Sequence, residues 1–310
     1  MGKELVSIIV PVTERFDNVT ELFQEYKNGL LNIENPTEFI YVLDGDFPEV
    51  FSELVKLQET GETIKIVKLA KWFGESIALT AGVEVAAGEL ILTLPAYYQV
   101  KAEHLGKMFE SLEGNDMVIC RRWPRSDSLF SRVQTRVFHR ILKFIDGYLF
   151  RDLGCGVRLF KKVVMDEISV YGDQHRFLPI LALRQGFKVL EINIPQSEKE
   201  KGTRIYGAGV YLRRLIDILS IFFLVKFTKK PLRFFGLIGS ATFILGGALL
   251  LFLAIERLFY GVPLGDRPLL LLGALLFVLG IQVFATGLIG ELIIFTHAKE
   301  LKEYTIEEIV

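Results

Sequence analysis

The chain has 310 residues, with 36 basic and 37 acidic side chains and a formal charge of −1 at neutral pH, which excludes a general nucleic-acid coat held by bulk charge. Its length allows one globular domain of about 230 residues with a sizeable core, plus an apolar tail that raises the hydrophobic content to 51%. Cys120 and Cys155 are too few for a disulfide framework and are expected to be reduced.

Met1 to Glu4 lead straight into an apolar run without the pattern of a signal peptide. From there β-branched runs alternate with helical spacing. Val6 to Val12, Glu38 to Leu43, Thr63 to Leu69, Leu90 to Leu94 and Met117 to Cys120 read as strands. Val19 to Leu31, Phe51 to Glu59, Ser76 to Ala87 and His104 to Leu112 read as helices. This alternation predicts an α/β domain with a mostly parallel sheet covered by helices on both faces. Ligands of such sheets bind at the carboxyl ends of the strands, so the informative loops are Pro11 to Asn18, Asp44 to Pro48, Ala70 to Ser76 and Pro95 to Glu103.

Between Arg121 and Lys143 the chain carries seven basic residues against the single acid Asp127. Arg132, Arg136, Arg140 and Lys143 recur at helical intervals and line one face. Such a face is either simply solvated or a wall for phosphate, whose oxygens match guanidinium forks.

Tyr211 to Phe227 reads as an amphipathic helix, followed by the basic and aromatic step KFTKKPLRFF. It is either a packing helix of the domain or one that lies in a membrane interface. Two uncharged runs of 22 residues then follow, Phe234 to Ile255 and Leu269 to Gly290. At about 1.5 Å per residue each reaches roughly 33 Å, enough to cross a bilayer core. Neither run shows the polar stripe of a soluble core helix. The 13-residue connection makes them a hairpin. Lys226, Lys229, Lys230 and Arg233 before it, and Lys299 and Lys302 after it, place both termini on the cytoplasmic side. The expected organisation is a cytoplasmic domain over 1–208, juxtamembrane amphipathic helices over 209–233, a transmembrane hairpin over 234–295 and a cytoplasmic tail over 296–310. Gly236, Gly239, Gly246 and Gly247 suit close helix contact and leave homo-oligomerisation through the spans open.

The ordered segments SIIVPVTERFDNV, YVLDGD, KLAKWFGESIALTAGVEVAAGE, RDLGCGVRLF, GDQHRFLP and KGTRIYG resemble family-2 glycosyltransferases of the polyprenyl-phosphate type. That group includes dolichol-phosphate mannose synthases and bacterial polyisoprenyl-phosphate glucosyltransferases. The resemblance implies a GT-A-like nucleotide-sugar-binding domain and transfer of a hexose, with inversion, from UDP-hexose or GDP-mannose to a polyprenyl phosphate at the cytoplasmic membrane face. It places Pro11, Val12, Glu14 and Asp44 beside the nucleotide, with Lys71, Gly74, Ala96, Gln99, Lys201 and Arg204 also on the donor. It assigns Arg122 and Arg136 to the acceptor phosphate. Asp152, Arg158, His175 and Arg176 fall near the reacting groups.

The chain departs from that pattern at the fourth strand, where LPAYYQV puts Pro95 and Tyr97 at positions that carry metal-binding acids in the family. Gln99 alone remains, a weak ligand for Mg²⁺ or Mn²⁺, so a divalent cation is in doubt. Three outcomes stay open: basic side chains replace the metal, another acid such as Asp152 or Asp173 helps hold it, or the chain is a noncatalytic nucleotide-sugar-binding scaffold. A processive polysaccharide synthase is disfavoured, because two spans cannot form a channel and the QxxRW motif is absent.

Overall fold

The computed structural model describes residues 4–124, 150–168, 174–200, 231–265 and 267–297. These fall into two compact units, one within the first 211 residues and one within 212–302.

The first unit is built on a seven-stranded sheet in the order β3-β2-β1-β4-β6-β5-β7. The strands are β1 (Val6–Val12), β2 (Thr37–Leu43), β3 (Ile64–Lys68), β4 (Leu90–Thr93), β5 (Met117–Arg122), β6 (Arg158–Lys161) and β7 (Val189–Ile194). β1 to β4 are mutually parallel, and β7 runs parallel to β5. β6 is antiparallel to both β4 and β5. All seven residues of β1 are buried, as expected of a central strand covered on both faces. The five strands legible in the sequence are present within a residue or two. β6 and β7 were not read as strands: RDLGCGVRLF looks like a loop until its last residues pair across the sheet, and β7 alternates weakly.

The covering helices are α1 (Val19–Gly29), α2 (Pro48–Glu59), α3 (Glu75–Val85), the short α4 (Gly106–Glu110) and α5 (Val163–Glu167), and α6 (Leu178–Gln185). α1 starts where the Asn18 side chain accepts the Glu21 N–H at 2.9 Å. Its Val19, Leu22, Phe23 and Tyr26 form the buried stripe. The Tyr26 hydroxyl donates to the Pro95 carbonyl at 2.8 Å, which ties this helix to the loop after β4.

The chain leaves β1 toward β2 and β3 on one side and returns as β4 on the other. That reversal opens a crevice at the carboxyl ends of β1 and β4, the usual ligand position in open α/β sheets.

The second unit is a pair of helices of 30 residues each, α7 (Pro231–Tyr260) and α8 (Pro268–His297). Both are longer than the uncharged runs alone, because flanking turns with Arg233, Arg257 and Glu291 continue the helix. Both are long and apolar enough to cross a membrane, with mean hydropathies of 2.3 and 2.4 over their most apolar windows. Only 17% and 11% of those windows is buried, so they do not behave as core helices. Large apolar side chains such as Leu237, Leu251 and Leu271 point outward.

The two helices meet at glycines. A Cβ on Gly246 would lie 2.4 Å from the Phe277 backbone N, and one on Gly280 would lie 2.4 Å from that of Phe243. Gly239 and Gly246 thus serve the contact within the hairpin. Gly246→Leu is expected to force the helices apart and destabilise the hairpin by about 1–3 kcal/mol, whereas the outward Leu251→Ala costs well under 1 kcal/mol. Thermal unfolding of the detergent-solubilised full chain measures the difference, and equal midpoints for the two variants would contradict this packing. Glu256 and Arg267 pair at the turn, and the Glu291 carboxylate accepts the Leu232 N–H at 3.4 Å.

Candidate active site

The crevice is lined by Pro11 at the end of β1, Thr93 and Pro95 at the end of β4, and Glu75, Arg158 and His175 from three other segments. Arg158 reaches it because β6 runs backwards: its first residue pairs with Thr93, the last of β4. The guanidinium is buried, donating through Nη1 to the His175 carbonyl and through Nη2 to that of Leu153 at 3.5 Å. Burial pulls its pKa down, and Glu75 is the main opposing charge.

Glu75 opens α3, and His175 holds it. The Ser76 hydroxyl accepts the backbone N–H of His175 at 3.1 Å and lies 3.1 Å from Nδ1. In the neutral ring the serine hydrogen therefore goes to Nδ1, and Nε2–H donates to Glu75 Oε2 at 3.1 Å. Burial alone would raise the Glu75 carboxyl pKa. The hydrogen bond and electrostatic attraction from His175, with the charges of Arg176 and Arg158, outweigh it and bring the value down to about 2. Glu75 is thus a fixed carboxylate at the rim of the crevice, 38% exposed.

A second charged group lies at the end of β5. Arg122 forks onto Asp152, Nε to Oδ2 at 2.7 Å and Nη2 to Oδ1 at 2.9 Å, with side chains only 8% and 3% exposed. Nη1 adds Glu200 at 3.1 Å. Burial opposes the charge, but the Asp152 pair keeps the Arg122 pKa above the usual guanidinium range. The loop carrying Asp152 is itself fixed, since Glu191 Oε1 accepts the N–H groups of Arg151 and Asp152 at 2.7 and 3.0 Å.

The other expected site residues divide by location. Pro11 and Val12 are buried at the end of β1, and Glu14 is exposed in the loop beyond. The Asp44 carboxylate is fully buried and accepts the N–H groups of Phe73 and Gly74 at 2.7 and 2.8 Å. Gly74 has φ of 100°, which suits glycine and turns the chain into α3. Asp44 therefore fixes the loop that presents Lys71, whose ammonium sits 5.3 Å over the Phe73 ring. Ala96 is buried, and its carbonyl accepts the Asp17 N–H at 2.8 Å. Arg176 is exposed. Arg136, Lys201 and Arg204 lie outside the described residues, as do Asp173 and the expected amphipathic helix.

A family model for glycosyl transferase family 2 matches residues 7–169, more than half of the chain. The chain belongs to glycosyl transferase family 2. Similarity extends over nearly the full length of curated relatives. A dodecaprenyl-phosphate galacturonate synthase of Rhizobium johnstonii is 26% identical, with 95% of this chain and 89% of that protein covered. An undecaprenyl-phosphate 4-deoxy-4-formamido-L-arabinose transferase of Pectobacterium atrosepticum is 29% identical, covering 98% and 93%. Among solved structures, glucosyl-3-phosphoglycerate synthase from Mycobacterium tuberculosis, in complex with Mn²⁺ and UDP-glucose, shares the fold with a TM-score of 0.53 at 12% identity, covering 71% of this chain and 79% of that one.

That neighbour holds Mn²⁺, which makes a divalent cation plausible for the family-2 fold. In this glycosyltransferase the loop after β4, Pro95 to Val100, offers one no carboxylate. Burial, aided by Glu75, raises the Tyr97 phenol pKa and keeps it neutral. Gln99 Oε1 already accepts the Gly156 N–H at 2.9 Å and faces Cys155 Sγ at 3.5 Å, while Nε2 donates to the Tyr97 hydroxyl at 2.7 Å. Gln99 thus staples two loops of the site together. Among the described residues no three His, Cys, Asp or Glu side chains cluster to hold a metal ion. Cys120 and Cys155 are both free and buried.

Sequence reasoning missed Glu75, Ser76 and Glu191 in this glycosyltransferase. An acid opening a helix reads as an ordinary first-turn charge. Only the arrival of His175, a hundred residues later, distinguishes Glu75.

Proposed function

We propose that this glycosyltransferase moves a hexose from a nucleotide sugar to the phosphate of a polyprenyl lipid at the cytoplasmic face of a membrane, with inversion at the anomeric carbon. One observation carries the reading: relatives named for polyprenyl-phosphate sugar transfer align over 95–98% of the chain, so the similarity takes in the apolar hairpin as well as the catalytic fold. Basic residues flanking the hairpin support a cytoplasmic placement of the domain.

In this reading a lipid phosphate oxygen attacks the anomeric carbon while the bond to the nucleoside diphosphate breaks. A phosphate is already ionised at neutral pH, so no strong general base is needed. Glu75 faces the crevice as a fixed negative charge suited to the positive charge that develops on the sugar ring. Arg158 balances the charge of Glu75. Pro11, Val12 and Glu14 lie beside the nucleotide, and Asp44 holds the Lys71 loop against the donor. Arg136, together with the N–H groups of Arg122 that Asp152 and Glu200 leave unused, receives the acceptor phosphate, while Lys201 and Arg204 close over the donor.

The test is incubation of membranes containing the protein with undecaprenyl phosphate and radiolabelled UDP-glucose, UDP-galactose, UDP-galacturonate, UDP-N-acetylhexosamines or GDP-mannose. Label is expected in an organic-soluble lipid with at least one donor. No lipid-linked label from any of them would overturn the proposal and favour the scaffold.

A further inference from the structure

We propose that Arg15, stacked on Tyr97, is the fixed cation that binds the donor diphosphate, so that the transfer proceeds without a divalent metal. The inference rests on the nucleotide-sugar reading above and adds to it the group that neutralises the leaving diphosphate.

The Arg15 guanidinium carbon lies 3.7 Å from the centroid of the Tyr97 ring, close to the optimum for a cation over an aromatic face. Tyr97 occupies the position at which a metal-binding acid was expected, so a positive group already stands there. Both side chains are only partly buried, and the loop bearing Arg15 is clamped to the loop bearing Tyr97 at two points. The Asp17 N–H donates to the Ala96 carbonyl at 2.8 Å, and the Asp17 carboxylate accepts the Tyr98 N–H at 3.0 Å. The Tyr26 hydroxyl reaches the Pro95 and Tyr97 carbonyls at 2.8 and 3.3 Å from beneath. The Tyr97 ring is therefore a rigid shelf.

Charge balance favours Arg15 over the two buried guanidinium groups of the site. Arg122 is neutralised by Asp152 and Glu200. Arg158 is buried against two carbonyls, with Glu75 as its main countercharge. Among the described residues Arg15 has neither a hydrogen-bond partner nor an ion pair; its only partner is the ring face. Stacking uses the face of the guanidinium and leaves its N–H edges for phosphate oxygens. A guanidinium fixed before the reaction can stabilise the charge that accumulates on the departing diphosphate, as a metal ion would. Tyr97 is a positioning residue in this scheme, acting through Arg15.

The experiment uses the purified full chain in lipid nanodiscs, titrated calorimetrically with UDP and GDP, each in EDTA, Mg²⁺ or Mn²⁺. At least one nucleotide is expected to bind in EDTA, with an affinity that Mg²⁺ or Mn²⁺ changes by less than about three-fold. Arg15→Ala weakens its binding by about ten-fold or more, while binding of the phosphate-free nucleoside is unchanged. Tyr97→Phe, which keeps the ring face, stays within about three-fold, and Tyr97→Ala falls toward the Arg15→Ala value. Electron paramagnetic resonance of Mn²⁺ with the nucleotide present should show no protein-bound ion. A stoichiometric Mn²⁺ signal together with loss of nucleotide binding in EDTA would overturn the role of Arg15 and leave the transferase reading standing. Failure of both nucleotides to bind under every condition would remove both.

Discussion

Asp152→Ala is expected to destabilise the catalytic unit by about 3–5 kcal/mol, the range found when one partner of a buried ion pair is removed. The carboxylate accepts both arms of the Arg122 fork and also the Arg122 backbone N–H at 3.2 Å. Without it Arg122 keeps a charge in a site where its side chain is 8% exposed, with Glu200 as its remaining acid among the described residues. The pair itself need not be net stabilising, because desolvating both ions offsets much of their attraction. Replacing both residues, as Arg122→Met with Asp152→Leu, should therefore recover most of the stability lost in the single variant. Activity should be lost in both cases. Denaturant unfolding of the full chain in detergent, followed by circular dichroism, measures the cycle. A single variant as stable as the parent would show that the fork contributes only orientation.

Glu75→Gln is expected to lower kcat for sugar transfer about a hundred-fold, with the fold intact. Glutamine keeps the shape and can still accept the His175 Nε2–H, so the change removes charge alone. At 38% exposure the carboxylate is well screened, and unfolding midpoints of parent and variant at pH 7 should differ little. The small difference that exists has a defined pH window. The folded-state pKa of Glu75 is depressed to about 2 from its ordinary value of 4.5. The stabilisation it brings is therefore full above about pH 4.5 and fades as the pH falls toward 2. A variant retaining full kcat would place Glu75 outside the chemistry. A gap in stability that widened on acidification would contradict the sign of the shift.

The sequence exposed everything that depends on local pattern. Val6 to Val12 could be read as a strand because seven neighbouring residues without charge and rich in β-branched side chains leave few alternatives. The hairpin was legible for the same reason, since six turns without a polar stripe have no place in a soluble fold. The order of motifs brought the family into view, and residue types alone showed that the acids after the fourth strand are missing. The ends of the elements were less clear: α7 and α8 run past their uncharged runs, because helix hydrogen bonding tolerates charges that hydropathy excludes.

Tertiary structure decided what each polar side chain is used for. The Asp44 carboxylate accepts the N–H groups of a loop nearly thirty residues on, a partnership that its place in the sequence does not show. Arg122 is paired by Asp152 and Glu200, which reach it from 30 and 78 residues away. Arg15 is one charge among many until Tyr97 is found beneath it. A side chain's chemistry is set by the partners that desolvate and neutralise it, and these come from distant segments, so periodicity and composition carry no trace of them. The sequence by itself determined five of the seven strands, the apolar hairpin and the family; the folded chain decided the other two strands and which charges already have partners.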